Sequence, residues 1–202
     1  MAKADMIDTV LDFWFGQQSD DAAVAQAQAR LWWSKDPAVD ADIAQRFGQR
    51  VLDAEAGRLS HWLSSSHGHL ALILLTDQFP RNIYRGQPMA FHFDAVARWF
   101  CLEGLAHGID RRLRPIHRAF FYLPLEHAED LGLQDRSVDL FQSLVDEVPS
   151  NARALFSGYL DFARRHRDII LRFGRFPHRN AVLGRASSVE EQEFLQQPGS
   201  GF

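Results

Sequence analysis

The stretch NARALFSGYLDFARRHRDIILRFGRFPHRN, residues 151–180, decides the fold class. Within it Leu155, Tyr159, Phe162, His166, Ile169 and Phe173 follow one another at steps of four, three, four, three and four. Side chains three and four positions apart share one face of an α-helix. The spacing therefore predicts a helix over residues 151–173 with a continuous apolar stripe. Gly174 supplies its stop, and Pro177 blocks any continuation.

The same period recurs toward both ends. Ile7, Val10, Leu11 and Trp14 mark a first helix, with Asp5 as candidate N-cap and Gly16 as stop. Residues 22–33 read as a second, Ala-rich helix. Asp36-Pro37 reads as the N-cap and first residue of a third, striped by Ile43, Phe47 and Val51 and closed by Gly57. A short piece at 59–64 precedes residues 66–79, which are apolar nearly all round and predict a central buried helix. Pro80 is expected to stop it, leaving residues 81–88 as a loop. Residues 90–107 predict a long helix with Trp99, Leu102 and Ala106 facing neighbours, closed by Gly108. Residues 115–121 and 124–131 predict two short helices, each opened by a proline, and residues 134–148 another. Ser188 with Glu191, or Ser187 with Glu190 in an equally good frame, caps a short final helix ending near Gln196.

Composition agrees with an all-α protein. Ala and Leu total 47 against 20 for Val, Ile and Thr, so helix formers outnumber β-branched residues more than twofold. At 202 residues, with short connections throughout, the expectation is one domain over residues 1–202, built of nine or ten helices stacked as hairpins. The net charge of −4 argues against a dedicated nucleic-acid binder. Cys101 is alone and cannot form an internal disulfide, which fits a reducing, cytoplasmic setting. The apolar run from Leu70 to Leu75 is far too short to span a bilayer, and acids within the first twelve residues argue against a secretory signal.

Three polar clusters interrupt this apolar pattern. In the first, Asp77 falls on the same helical face as Leu70, Ile73 and Leu74, followed by Gln78, Arg81 and Asn82. A carboxylate on an apolar face is costly unless paired, and Arg81 and Arg175 are candidate partners. The second is Glu126, His127, Glu129 and Asp130, just after Tyr122-Leu123-Pro124-Leu125. The third is residues 164–185, with seven Arg against one acid, Asp168, and with His166 on the apolar stripe. Its exit segment, Arg175, Phe176, Pro177, His178, Arg179 and Asn180, echoes Phe79-Pro80-Arg81-Asn82. Both are read as sharp turns that present an Arg and an Asn.

Phosphate-binding and dinucleotide glycine loops, zinc-binding His-Glu-x-x-His and nucleophile elbows are all missing from the sequence. No metal is expected and no cofactor is indicated. His166-Arg167-Asp168 imitates a kinase catalytic triplet but lies inside a helix.

Val10-Leu11-Asp12-Phe13-Trp14-Phe15-Gly16, Asp77-Gln78-Phe79-Pro80-Arg81-Asn82, Pro124-Leu125-Glu126-His127 and Arg172-Phe173-Gly174-Arg175-Phe176-Pro177-His178-Arg179-Asn180 occur in this order. Together they resemble the bacterial domain-of-unknown-function family 924. The resemblance implies an all-helical, tetratricopeptide-like superhelix and brings no assigned activity. The 34-residue period of standard tetratricopeptides is absent.

If the clusters converge, they form a polar cleft for a small anionic ligand. Gln78, Arg81, Asn82, Arg175, His178, Arg179 and Asn180 would bind it. His127 or His166 would move a proton, tuned by Glu126 or Asp77. The alternative is a helical-repeat module that binds a protein partner without catalysis, and a buried polar network that locks the helices would carry the same residues.

Overall fold

A computed structural model describes residues 6–201, which places the candidate cap Asp5 outside the described residues. The described residues contain α-helices and short helical turns and no strand. In chain order they are α1 (Met6–Phe15), α2 (Asp21–Trp33), α3 (Pro37–Glu55), α4 (Ser66–Ile73), α5 (Phe79–Ile83), α6 (Asp94–Ala106), α7 (Pro115–Glu126), α8 (Leu131–Glu147), α9 (Arg153–Phe173) and α10 (Val189–Leu195). Several helices adjacent in sequence pack on one another, most extensively α8 on α9 and α7 on α8, then α6 on α7 and α1 on α2. Longer-range pairs close the stack: α3 on α5, α4 on α6 and α2 on α7. None of the described helices is long and apolar enough to cross a membrane.

One apolar core runs through the assembly from Val10 to Ala163. Its centre is aromatic. Phe79 lies 5.4 Å from Trp14 and 4.9 Å from Phe47, and Phe120 lies 5.7 Å from Trp14 and 4.6 Å from Trp32 (ring centroids). Each such side chain, fully buried, contributes about 1.5–3 kcal/mol. A smaller cluster of Ile169, Ile170 and Phe176 holds the end of α9 against the exit segment.

Helix α9 forms as its spacing predicts, and Gly174 ends it at φ +68°, a left-handed conformation that glycine adopts without penalty. Its buried face is offset from the expected stripe. Phe156, Leu160, Ala163, His166, Ile169 and Ile170 face inward, whereas Phe162 is 48% exposed. The small Ala163 takes a place in the main core beside it. Trp99 is likewise exposed, not turned to a neighbour.

The two prolines behave differently from expectation. Pro80 does not end the central helix. After α4 the chain widens into a π turn, Leu74–Gln78, in which the Phe79 N–H bonds to the Leu74 carbonyl five residues back. Proline lacks an N–H and its ring would strike the carbonyl four residues earlier in a regular helix. The extra residue of the π turn relieves both problems and lets α5 run on through Pro80 to Ile83. Arg81 and Asn82 thus sit on a helix and not in a loop. Pro124 is accommodated inside α7, which runs unbroken to Glu126, and α8 starts earlier than expected because Asp130 caps it through the Leu133 N–H at 2.9 Å. Of the two cap frames for α10, Ser188 with Glu191 forms, while Ser187 accepts from Asn180.

Candidate functional site

The end of α7 carries the centre of the site. Glu126 is its last residue and His127 its C-cap. The turn that follows is fixed by buried Gln134 of α8, whose amide donates to the carbonyls of Glu126 (2.6 Å) and Ala128 (2.8 Å). Those carbonyls have no partner inside α7, so the glutamine satisfies a helix end and locks His127 in place.

Asp77 reaches His127 from the π turn. Its carboxylate is fully buried and accepts from His127 Nδ1 at 2.8 Å and from Gln78 Nε2 at 2.5 Å, with Arg81 Nη1 at 3.5 Å. Burial pushes this carboxyl up, but Arg81 and His127 outweigh it and hold the group well below the usual range. Burial, reinforced by Arg81, pushes the His127 pKa down. A neutral His127 that donates from Nδ1 to an ionised Asp77 keeps its lone pair on Nε2.

Behind His127 lies a second pair. Glu126 Oε1 and His166 Nδ1 are 3.0 Å apart, and the same nitrogen is 2.9 Å from the Phe162 carbonyl. Burial, with Asp77 adding to it, raises Glu126 to about 8, so the carboxyl keeps its proton at neutral pH. Burial, with His127 adding to it, lowers His166 to about 3. The pair is therefore neutral in both members, with His166 Nδ1–H directed at the Phe162 carbonyl and Glu126.

Arginines close the outer side. Arg81 Nη1 donates to the Asp77 carbonyl (2.7 Å) and to Asp94 Oδ1 (2.9 Å). Arg179 Nη1 donates to the His127 carbonyl (3.0 Å) and stands 3.6 Å from Asp94 Oδ2. Both guanidiniums lie over the Phe91 ring, at 5.8 and 4.8 Å. Arg81 Nη2 and Arg179 Nε are buried with no hydrogen-bond partner among the described residues. Burial, with Arg81 adding to it, lowers Arg179 to about 10. His178 flanks Arg179, and burial plus Arg179 lower it to about 4.

Asp77, Gln78, Arg81, Glu126, His127, His166, His178 and Arg179 thus meet. Three of the expected binding residues do not join them. Asn82 donates to Asp40 of α3 at 2.9 Å, beside the Arg85–Asp40 ion pair, because the helical path through Pro80 turns it to that side. Arg175 forks onto Glu191 of α10 at 2.7 and 2.8 Å and also reaches the Ala186 carbonyl. Asn180 bridges Ser187 and Arg185. The last two therefore fasten the exit segment to α10. Glu129, in the turn between α7 and α8, holds the exit segment from the other side, accepting from the Phe176 N–H and from Arg185. Sequence reasoning missed Asp94 and Phe91. Asp94 opens α6 as an ordinary first-turn acid, and nothing in its spacing indicates a partner thirteen residues away.

No group of three His, Cys, Asp or Glu side chains is placed to hold a metal ion among the described residues. The arrangement can present two cationic donors and one imidazole lone pair to an acceptor-rich guest.

The family model for a bacterial protein of unknown function, DUF924, matches residues 10–199. Among solved structures, a protein of unknown function from Agrobacterium tumefaciens, ATU0120, is similar at 38% identity with a TM-score of 0.80. The match covers 95% of this chain and 97% of that one. No curated protein matches.

Proposed function

The chain belongs to the bacterial DUF924 family, and on that footing we propose that it binds a small anionic ligand at the Arg81–Arg179 side of the polar hub, with His127 as proton acceptor. The observation that carries this reading is the pair of buried guanidinium nitrogens, Arg81 Nη2 and Arg179 Nε, that no group among the described residues answers. An unanswered buried donor costs about 1–3 kcal/mol, more when charged, and an anion's oxygens would offset it. The arginines' other contacts to Asp94 and Asp77 keep the hub near electrical balance. A guest therefore has to be small and acceptor-rich, entering where Arg81 and Asp94 are each about one-fifth exposed. Asp77 orients the His127 ring so that Nε2 takes the proton, the role a buried carboxylate plays toward an imidazole base. A cytoplasmic location is part of this proposal, supported by the single Cys101, which suits a reducing compartment.

A helical-repeat interaction module is the second reading. It is favoured by Trp33, 57% exposed and packed 6.5 Å from Tyr159, one helical turn from half-exposed Phe162.

The test is thermal unfolding with inorganic phosphate and citrate at low and high salt, on the natural chain and on Arg179→Gln. That variant removes a cation which burial already disfavours, while Arg81 continues to pair Asp94. A midpoint that rises with either anion at low salt, and no longer does so in Arg179→Gln, supports ligand binding. If neither anion moves the midpoint, or the variant responds like the natural chain, the reading is wrong.

A further inference from the structure

Apart from the hub, a recess of about 350 Å³ opens between α4, α6 and the turn Asp110–Arg112. Its walls are Leu63, His69, Glu103, His107, Ile109 and Arg112. The volume falls at the lower end of small-molecule pockets, which span about 300–1,000 Å³.

The floor is unusual. His69 is 4% exposed, and neither ring nitrogen reaches hydrogen-bond geometry with a group among the described residues. Burial pushes the His69 pKa down and so favours the neutral ring, while the Leu63 backbone beside it acts in the other direction. A neutral imidazole carries one N–H donor, and the His69 ring lines the floor of a recess whose rim also carries the Glu103 carboxylate. Gly104 holds the ring in this position. A Cβ there would come within 3.1 Å of His69 Cδ2 and 2.5 Å of Phe121 Cζ, so only glycine lets α6 approach this closely. Glycine inside a helix costs about 1 kcal/mol relative to alanine, which makes the close approach a feature the sequence sustains against its helix propensity.

The rim supplies charge. Arg112 is exposed and makes no ion pair among the described residues, whereas Glu103 lies 3.2 Å from His107 Nδ1. One unengaged guanidinium beside one carboxylate suits a monoanion better than a dianion, which Glu103 would repel. Leu63 and Ile109 offer an apolar wall beside the polar floor. We propose that this recess binds a small monocarboxylic acid, its carboxylate between His69 and Arg112 and its apolar body against Leu63 and Ile109.

The test uses the full chain labelled with nitrogen-15 and long-range proton–nitrogen spectra of the histidine rings. Hexanoate and benzoate are the probes, and inorganic phosphate is the dianion control. The expected result is a saturable shift of the His69 ring with either carboxylate and none with phosphate. Arg112→Ala removes a charge-assisted hydrogen bond at an exposed position that does not support the fold, and is expected to weaken the affinity about tenfold. Arg179→Gln, in the hub, is expected to leave the His69 response unchanged, which separates this site from the other. The proposal is overturned if His69 shows no saturable shift, if phosphate shifts it equally, if Arg112→Ala binds as tightly as the natural chain, or if Arg179→Gln abolishes the response.

Discussion

Replacing Glu126 by glutamine should stabilise this protein at neutral and alkaline pH and leave it unchanged in acid. Glu126 is 4% exposed, and burial followed by the nearby Asp77 charge raises its pKa from 4.5 to about 8. An acid whose pKa is raised on folding contributes fully to stability below its unfolded value. That contribution is lost as the pH climbs toward the folded value, because the unfolded chain releases the proton first. A tenfold change in proton affinity corresponds to about 1.4 kcal/mol, so at pH 7 burying this group costs the fold roughly 3 kcal/mol, rising to roughly 5 kcal/mol well above pH 8, where the buried carboxyl is ionised. Glutamine reproduces the shape and polarity of the protonated acid and has no proton to lose. The assay is guanidinium-induced unfolding of both chains across about pH 4.5 to 8.5, where linear extrapolation gives each stability. The two chains should agree near pH 4.5 and diverge steadily above it, with the variant ahead. If Glu126 were instead ionised and paired with a protonated His166, the variant would be weaker throughout and the curves would not fan out. That result would refute the assignment of protons in the hub.

Three more outcomes follow from the geometry. Gly174→Ala, at φ +68°, should lower stability by about 1 kcal/mol in thermal unfolding, since alanine is strained in the left-handed conformation that ends α9. Gly104→Ala drives a methyl to within 2.5 Å of Phe121 Cζ and should cost about 1–3 kcal/mol by the same measurement, while Gly158→Ala, with open space around it, should be neutral or stabilising. Glu191 is held down to about 2 by its fork with Arg175, so the stability it provides is complete above its unfolded value of 4.5 and fades as the pH falls toward 2. Limited proteolysis should therefore release α10 from Glu191→Gln at neutral pH, and from the natural chain only in strong acid.

Much of the hub was legible because each member stood out against an apolar background. Asp77 at the end of the Leu70–Ile73–Leu74 face, Glu126 and His127 among large hydrophobes, and His166 on a helical stripe all had to be buried. Buried ionisable groups gather because each needs a partner. Local rules failed where packing overruled them. Proline reads as a stop, yet the π turn before Pro80 and the last turn of α7 around Pro124 admit it. That is why residues 81 and 82 are helical and why Asn82 leaves the site for Asp40. The resemblance of the two Phe-Pro segments therefore hides different shapes. One is helical throughout, and the other follows a left-handed glycine with a short turn, Pro177–Arg179. Ion-pair partners were the least legible. Arg175 was a candidate for Asp77 and forks onto Glu191 instead, and Asp94 gave no hint of reaching Arg81, because such pairings are set by helix docking and not by spacing.

The π turn also makes the molecule sensitive to residue number in one short window. An α-helix rotates by about 100° per residue, so deleting a single position between Leu74 and Gln78 would restore a regular helix and swing everything beyond it by more than a quarter of a circle. Arg81 would swing off Asp94, Asn82 would lose Asp40, and Pro80 would collide with its own preceding turn. Length in this window is thus more tightly constrained than identity, and a lineage should tolerate substitution here far better than any gain or loss of a codon.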